Sequence, residues 1–237
     1  MDFKKLIVTV IGLALANTGH AQHPMILQKL AEWNAAAPQP AAAIVLSEIK
    51  KAVASRSDAD PKCATADVIL DKLMPATAER YVFNGIIGRQ IRNGWTVLVR
   101  QPACSATPAR YMIVQDSSGA LRTFRVNRGQ SYAHESLLGD TLPLVITSAG
   151  VALERAKISC KEWEKARLGV TRIIAEDSDL GADIFGVRYT GSWTELWPIE
   201  ICGQIVEVPV KFKADGDGGA YNNIKGEAVR LVPAEKK

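Results

Sequence analysis

Histidine is scarce in this chain. There are three in 237 residues, and only His23 and His134 follow residue 21. Neither has a patterned partner, so the sequence supports no hydrolytic triad and no zinc site. No catalytic residue, metal ligand or cofactor is expected. A strong excess of either charge is also missing. Lys and Arg number 29 against 25 Asp and Glu, for a net charge of +4, and that balance implies no nucleic-acid partner. Gly85–Gln90 ("GIIGRQ") lacks the spacing of a phosphate loop. Asp215-Gly-Asp217 has the start of a calcium loop but not the later carboxylate in the right pattern, so it reads as a turn.

Long apolar runs are lacking after the N-terminus. The first residues, "MDFKKLIVTVIGLALANTGHAQ", place Lys4 and Lys5 before an apolar run from Leu6 to Ala16, followed by small residues around Ala21. That is the pattern of a secretory signal peptide over 1–21, with cleavage expected after Ala21. The remaining chain is expected to be periplasmic or secreted and not to span a membrane. In an oxidising compartment the four cysteines, Cys63, Cys104, Cys160 and Cys202, are expected to be bridged.

An internal repeat organises the chain beyond the leader. Trp95-Thr96 precedes Cys104 as Trp193-Thr194 precedes Cys202, nine residues from tryptophan to cysteine in each case. Cys63 and Cys160 lie 32 and 33 residues before those tryptophans, and the turns "DSSGA" and "DGDGGA" come after the second cysteine of each set. The landmarks recur at an offset of 97 to 100 residues. The duplication favours the pairs Cys63–Cys104 and Cys160–Cys202. Each closes a loop of about 40 residues, which stabilises by roughly 3–4 kcal/mol.

The expected fold is α+β, as two degenerate repeats over 22–130 and 131–237. Each has N-terminal helices, then an antiparallel sheet, and one disulfide. Helices are expected in 23–34 and 40–56, where Val45, Leu46, Ile49 and Val53 share a face. Residues 79–91 ("ERYVFNGIIGRQI") read as a strand, with further strands around Trp95, Tyr111 and Phe124. Asn127–Asp140 reads as a linker and 141–168 as mostly helical. Further strands surround Ile173, Val187, Trp193 and Val208. Pro198 and Pro209 imply an edge strand or bulges.

Two groups are candidate binding residues. Trp193, Glu195 and Trp197 alternate along one strand, so they share a face. They form either a binding stripe or a face packed under a helix or loop with Glu195 at its edge. The second group comes from charge segregation. Arg80 to Arg128 holds eight arginines, no lysine and a single acid, Asp116. Val170 to Val210 holds Arg172 and Arg188 against seven acids. Arginine suits bidentate recognition of carboxylate or phosphate. Arg122, Arg125 and Arg128 are therefore candidates for an anionic envelope component or an acidic protein. The alternatives are a solvated surface and charge pairing within or between chains. Arg122 and Arg128 share strand parity and Arg125 opposes them.

Trp193 to Gly219 resembles a motif of small exported proteobacterial proteins of unassigned function, with Trp-x-x-x-Trp, then Cys-Gly, then a strand ending in Asp-Gly-x-Gly-Gly. The matching residues are Trp193, Trp197, Cys202-Gly203 and Asp215 to Gly219. The resemblance implies export, a disulfide and a β-rich C-terminal unit, and supplies no catalytic residues. The tandem layout also resembles that of the β-lactamase-inhibitor-like fold, in layout alone. The expected function is that of an exported, non-enzymatic binding protein. The alternatives are a self-associating envelope subunit and an envelope hydrolase using Asp177, Asp179 or Glu195.

Overall fold

The computed structural model describes residues 24–55, 63 and 66–232. The signal-peptide reading of 1–21 lies outside them. The helices are α1 (Pro24–Ala36), α2 (Ala42–Ala54), α3 (Arg80–Ile87) and α4 (Glu135–Arg155). The strands are β1 (Ile69–Leu70), β2 (Met74–Pro75), β3 (Ile91–Gln101), β4 (Ser105–Asp116), β5 (Leu121–Gly129), β6 (Arg167–Leu168), β7 (Val170–Glu176), β8 (Asp183–Ile184), β9 (Val187–Arg188), β10 (Ser192–Ile201), β11 (Gln204–Ala214), β12 (Ala220–Asn223) and β13 (Arg230–Val232). The fold is α+β, with a large, mostly antiparallel sheet.

The main sheet runs β1-β3-β4-β5-β7-β10-β11-β12, with β2 also on β3, β6 on β10 and β13 on β11. Among the described residues its one parallel pair is β5–β7, where Arg128 faces Val170 and Gly129 faces Thr171. This short join makes one sheet of two hairpin systems, β1–β5 and β6–β13. Gly129 sits at φ 86, and a Cβ there would collide with the Thr171 carbonyl. A side chain at this position would push the two systems apart.

In the first system α2 buries Val45, Ile49 and Val53 against Trp95, Val97, Val99, Tyr111 and Ile113. That stripe recurs every four residues, as an amphipathic helix requires. The opposite face packs Val82 of α3 on Ala76, Met112 and Val114. In the second system α4 covers Trp193, Trp197, Ile199, Val206, Val208, Val210 and Phe212. α4 is long and apolar enough by composition to cross a membrane, and it packs here as the core helix of the second system.

Cys63 is bridged to Cys104, and Cys160 to Cys202. Each bridge ties the segment after a long helix to the turn of a Trp-bearing hairpin. Such bridges fit an oxidising, extracytoplasmic compartment. The two later turns also match in detail. Asp116 Oδ1 accepts from the amides of Ser118 and Ala120, at 2.9 and 3.0 Å. Asp215 Oδ1 accepts from the amides of Asp217 and Gly219, at 2.8 and 3.0 Å. Both carboxylates therefore close their own turn.

Several local expectations are corrected. Residues 80–87 form helix α3, not a strand. Val82 and Gly85, three apart, are buried, and a short apolar run fits either period until its packing is known. The linker shrinks to Gln130–His134. Asn127–Gly129 complete β5, and α4 already begins at Glu135 because the His134 side chain accepts the Leu137 amide and caps the helix. β10 and β11 are interior strands. Pro198 lies where the partner on one side changes from β7 to β6, and Pro209 lies in the gap between β12 and β13. Each proline thus occupies a place where the ladder needs no amide donor.

Candidate functional site

The Trp193–Glu195–Trp197 stripe is buried, at 2%, 0% and 0% exposure, so it offers no accessible surface. Glu195 is fully enclosed and does not lie at an exposed edge. Its Oε1 accepts from the Trp193 indole (2.9 Å) and from the amides of Tyr132 (2.7 Å) and Ala133 (3.1 Å). Its Oε2 accepts from the Trp197 indole (2.9 Å) and the Ser131 hydroxyl (2.7 Å). A buried carboxylate survives only when its lone pairs are filled, and here five donors fill them. The tryptophans flank it because each indole carries one N–H and no acceptor.

The same five-residue crossing is gripped from the other side. Arg110 of β4 donates to Asn127 Oδ1 at 3.0 Å, to the Ser131 carbonyl at 3.2 Å and to the Ala133 carbonyl. One arginine from the first system therefore holds the carbonyls of the crossing, and one glutamate from the second holds its amides. Burial pushes the Arg110 pKa below its ordinary value, opposed by the charges of Glu79, Glu195 and Asp183. Glu79 is 2% exposed and accepts the amide of Glu135 at the start of α4, while its Oε2 has no hydrogen-bond partner among the described residues. Burial raises its pKa from 4.5 to about 7, against the favourable Glu135 amide and Arg110. Arg188 lies over the Tyr132 ring at 3.8 Å, and the Tyr132 hydroxyl donates to Glu176 at 2.5 Å.

Beside this junction opens a cleft of about 790 Å³. Ile26, Leu30 and Phe83 give it an apolar wall; Asp140, Asp217 and the glycine-rich turn Asp215–Gly219 form much of the remainder. His134 lies in its lining. Its Nδ1 accepts from Leu137 and its Nε2 meets the Gly218 carbonyl at 2.9 Å. Those partners require the neutral ring with the proton on Nε2. Burial lowers its pKa below 6.5. Both ring nitrogens are thus committed to holding the turn against α4.

The other candidate residues are dispersed. Arg122 faces Val114, Arg125 faces Tyr111 and Arg128 faces Ala109, with a bulge between Arg110 and Tyr111. Cross-strand partners share a face. The bulge therefore brings Arg125 and Arg128 to one face and leaves Arg122 on the other, contrary to the parity read from sequence. The three do not form one patch. Asp177 pairs with Lys211 at 2.8 Å, and Asp179 accepts the Ser192 amide at 3.2 Å. With Glu195 enclosed, these acids do not converge. Arg110 and Glu79, central to the junction, carried no motif; their only signal was charge among buried neighbours, which a sequence does not display. No protein-family model matches the chain, and neither any curated protein nor any solved structure matches it.

Proposed function

We propose that the chain is an exported, non-enzymatic binding protein that holds its ligand in the cleft where its two hairpin systems meet. In this reading the systems are degenerate copies of one helix-plus-sheet unit, over 22–130 and 131–237. The matched disulfides, tryptophans and Asp-closed turns support that reading. Export to the periplasm or beyond is supported by the leader pattern together with the two bridges.

The cleft carries the proposal. Clefts between structural units are favoured ligand sites. This one sets an apolar wall of Ile26, Leu30 and Phe83 against the carboxylates of Asp217 and of Asp140, which Arg80 meets at 3.7 Å. That chemistry fits an apolar segment bearing a basic group. The commitment of both His134 nitrogens and the scattering of Asp177, Asp179 and Glu195 favour binding over hydrolysis. The test is an amide-NMR titration of the oxidised protein with hexylamine and with hexanoate. Hexylamine is expected to shift the resonances of Gly216–Gly219 and the start of α4, and Ile26→Ser with Asp217→Asn to abolish the shift. Equal shifts with hexanoate, or none with either, reject the cleft.

Self-association is the second reading. It is favoured by two exposed apolar side chains of the second system, Ile174 and Tyr221, at 51% and 72%. Sedimentation at low and moderate salt reads it directly: a single monomeric species throughout removes it.

A further inference from the structure

We propose that the cavity between α3 and the β4–β5 turn binds a phosphoryl group, a tetrahedral oxyanion of two negative charges. This site is separate from the junction cleft and does not rest on it. The cavity holds about 570 Å³, and its lining includes Asn84, Arg89, Gln90, Asp116, Ser117 and Arg122. A neighbouring cavity of about 600 Å³ shares Arg89 and Ser117 and adds Arg92. The fold thus gathers three arginines that are distant in sequence: one at the end of α3, one on β3 and one on β5.

Their bonding leaves charge to spare. The Arg89 guanidinium has no hydrogen-bond or ion-pair partner among the described residues. Its backbone sits at φ 58, a left-handed conformation uncommon for a residue other than glycine. It is held there by the Arg89 amide on Ile86 (3.0 Å) and the Gln90 amide on Gly85 (2.8 Å). These bonds, with Gly88 on Asn84 (2.8 Å), also satisfy the last carbonyls of α3, so the helix end turns few free oxygens toward an anion. Arg92 donates twice to the Ser117 carbonyl, at 3.1 and 2.7 Å, and so fixes the turn. Arg122 has one acidic neighbour, Asp116, at 3.6 Å. Asp116 Oδ1 already accepts the Ser118 amide and hydroxyl and the Ala120 amide. Within the cavity Arg89 and Arg122 stand against one engaged aspartate, a local excess of one positive charge, to which Arg92 adds from the neighbouring cavity.

The donor set points to phosphoryl over carboxylate. A carboxylate presents two oxygens in one plane, and one guanidinium fork serves it. Here Arg89 and Arg122 approach from different elements, and the amides of Asn84 and Gln90 and the Ser117 hydroxyl stand beside them. Such a set suits three terminal oxygens in three directions. Ile91 and Val114 also line the cavity and supply its apolar surface. The ligand is either a soluble phosphate monoester or a lipid headgroup.

The test uses the oxidised protein lacking residues 1–21, at constant ionic strength. Calorimetric titration with inorganic phosphate, glycerol phosphate and succinate is run beside sedimentation with phosphatidylcholine vesicles, with and without phosphatidic acid. The compared proteins are the unaltered chain, the double variant Arg89→Gln/Arg122→Gln, and Arg100→Gln, which alters an arginine of the same system outside the cavity. Saturable binding of a phosphoryl compound is expected, weakened at least tenfold in the double variant and unchanged by Arg100→Gln. Sedimentation that needs phosphatidic acid and the two arginines assigns a headgroup. Phosphate binding without sedimentation assigns a soluble ester. The proposal is overturned by the absence of saturable binding, by equal losses in all variants, or by tighter binding of succinate than of phosphate.

Discussion

Trp95, Val97 and Val99 of β3 and Trp193, Glu195 and Trp197 of β10 occupy corresponding places on two Trp-bearing hairpins, each face covered by a long helix. In the first system the three side chains are ordinary core. In the second a carboxylate is buried in the middle of the row and both flanking indoles turn their N–H toward it. The difference lies in what each hairpin must hold. β10 lies beside the crossing Gln130–His134, whose Tyr132 and Ala133 amides find no strand carbonyl, and Glu195 accepts both. Among the described residues β3 has no such crossing to hold, and a valine suffices. A charge can replace a core aliphatic where backbone donors would otherwise be buried unpaired.

Substitution at these two positions breaks the comparison most sharply. Glu195→Leu strands both indole N–H groups and the Tyr132 amide and is expected to cost about 3–5 kcal/mol in urea unfolding or to prevent folding. Val97→Ala is expected to cost less, about 1–3 kcal/mol, as a small cavity. Equal costs would mean that the clamp contributes nothing beyond packing. The bridges come next. Cys63→Ser/Cys104→Ser and Cys160→Ser/Cys202→Ser are each expected to lose about 3–4 kcal/mol, since the loops are nearly equal at 41 and 42 residues. A twofold disparity would show that one unfolded half retains structure.

The pH response sharpens the contrast at the junction. Glu79 is raised to about 7 in the folded chain from 4.5. Its contribution is fully present below 4.5 and is lost as pH rises through about 7, by about 3 kcal/mol at most. His134 works in the other direction: with its pKa lowered below 6.5, its contribution is present above that value and is lost as pH falls. Glu79→Gln is expected to remove the decline between about pH 5 and 7 in thermal unfolding and to leave the acid-side loss intact. A curve unchanged by Glu79→Gln would assign the decline to another group.

A smaller effect is expected at Gly150, where a Cβ would collide with the Trp163 ring. Gly150→Ala should displace that ring, shift tryptophan emission and cost about 1–3 kcal/mol. The smallest effect belongs to the arginines. Arg122→Ser or Arg128→Ser should change stability by no more than about 0.5 kcal/mol, which keeps them usable in binding assays.

Features set by neighbours along the chain were legible in the sequence. The spacing of cysteines and tryptophans pointed to the two bridges, the four-residue stripe of Val45, Ile49 and Val53 to α2, and the Asp-rich turns to hairpin ends. The last two depend on backbone geometry over a few residues, and the first on a pattern that recurs along the chain. What depends on contacts between distant segments was not legible. Whether 80–87 is helix or strand was decided by the surface it packs on, and the direction of Arg128 by one bulge opposite Arg110. The role of Glu195 was decided by a crossing segment more than 60 residues away. Local propensity acts through fixed bond geometry and survives in the one-dimensional string. Burial, register and the pairing of charges are properties of space, and only the folded chain assigns them.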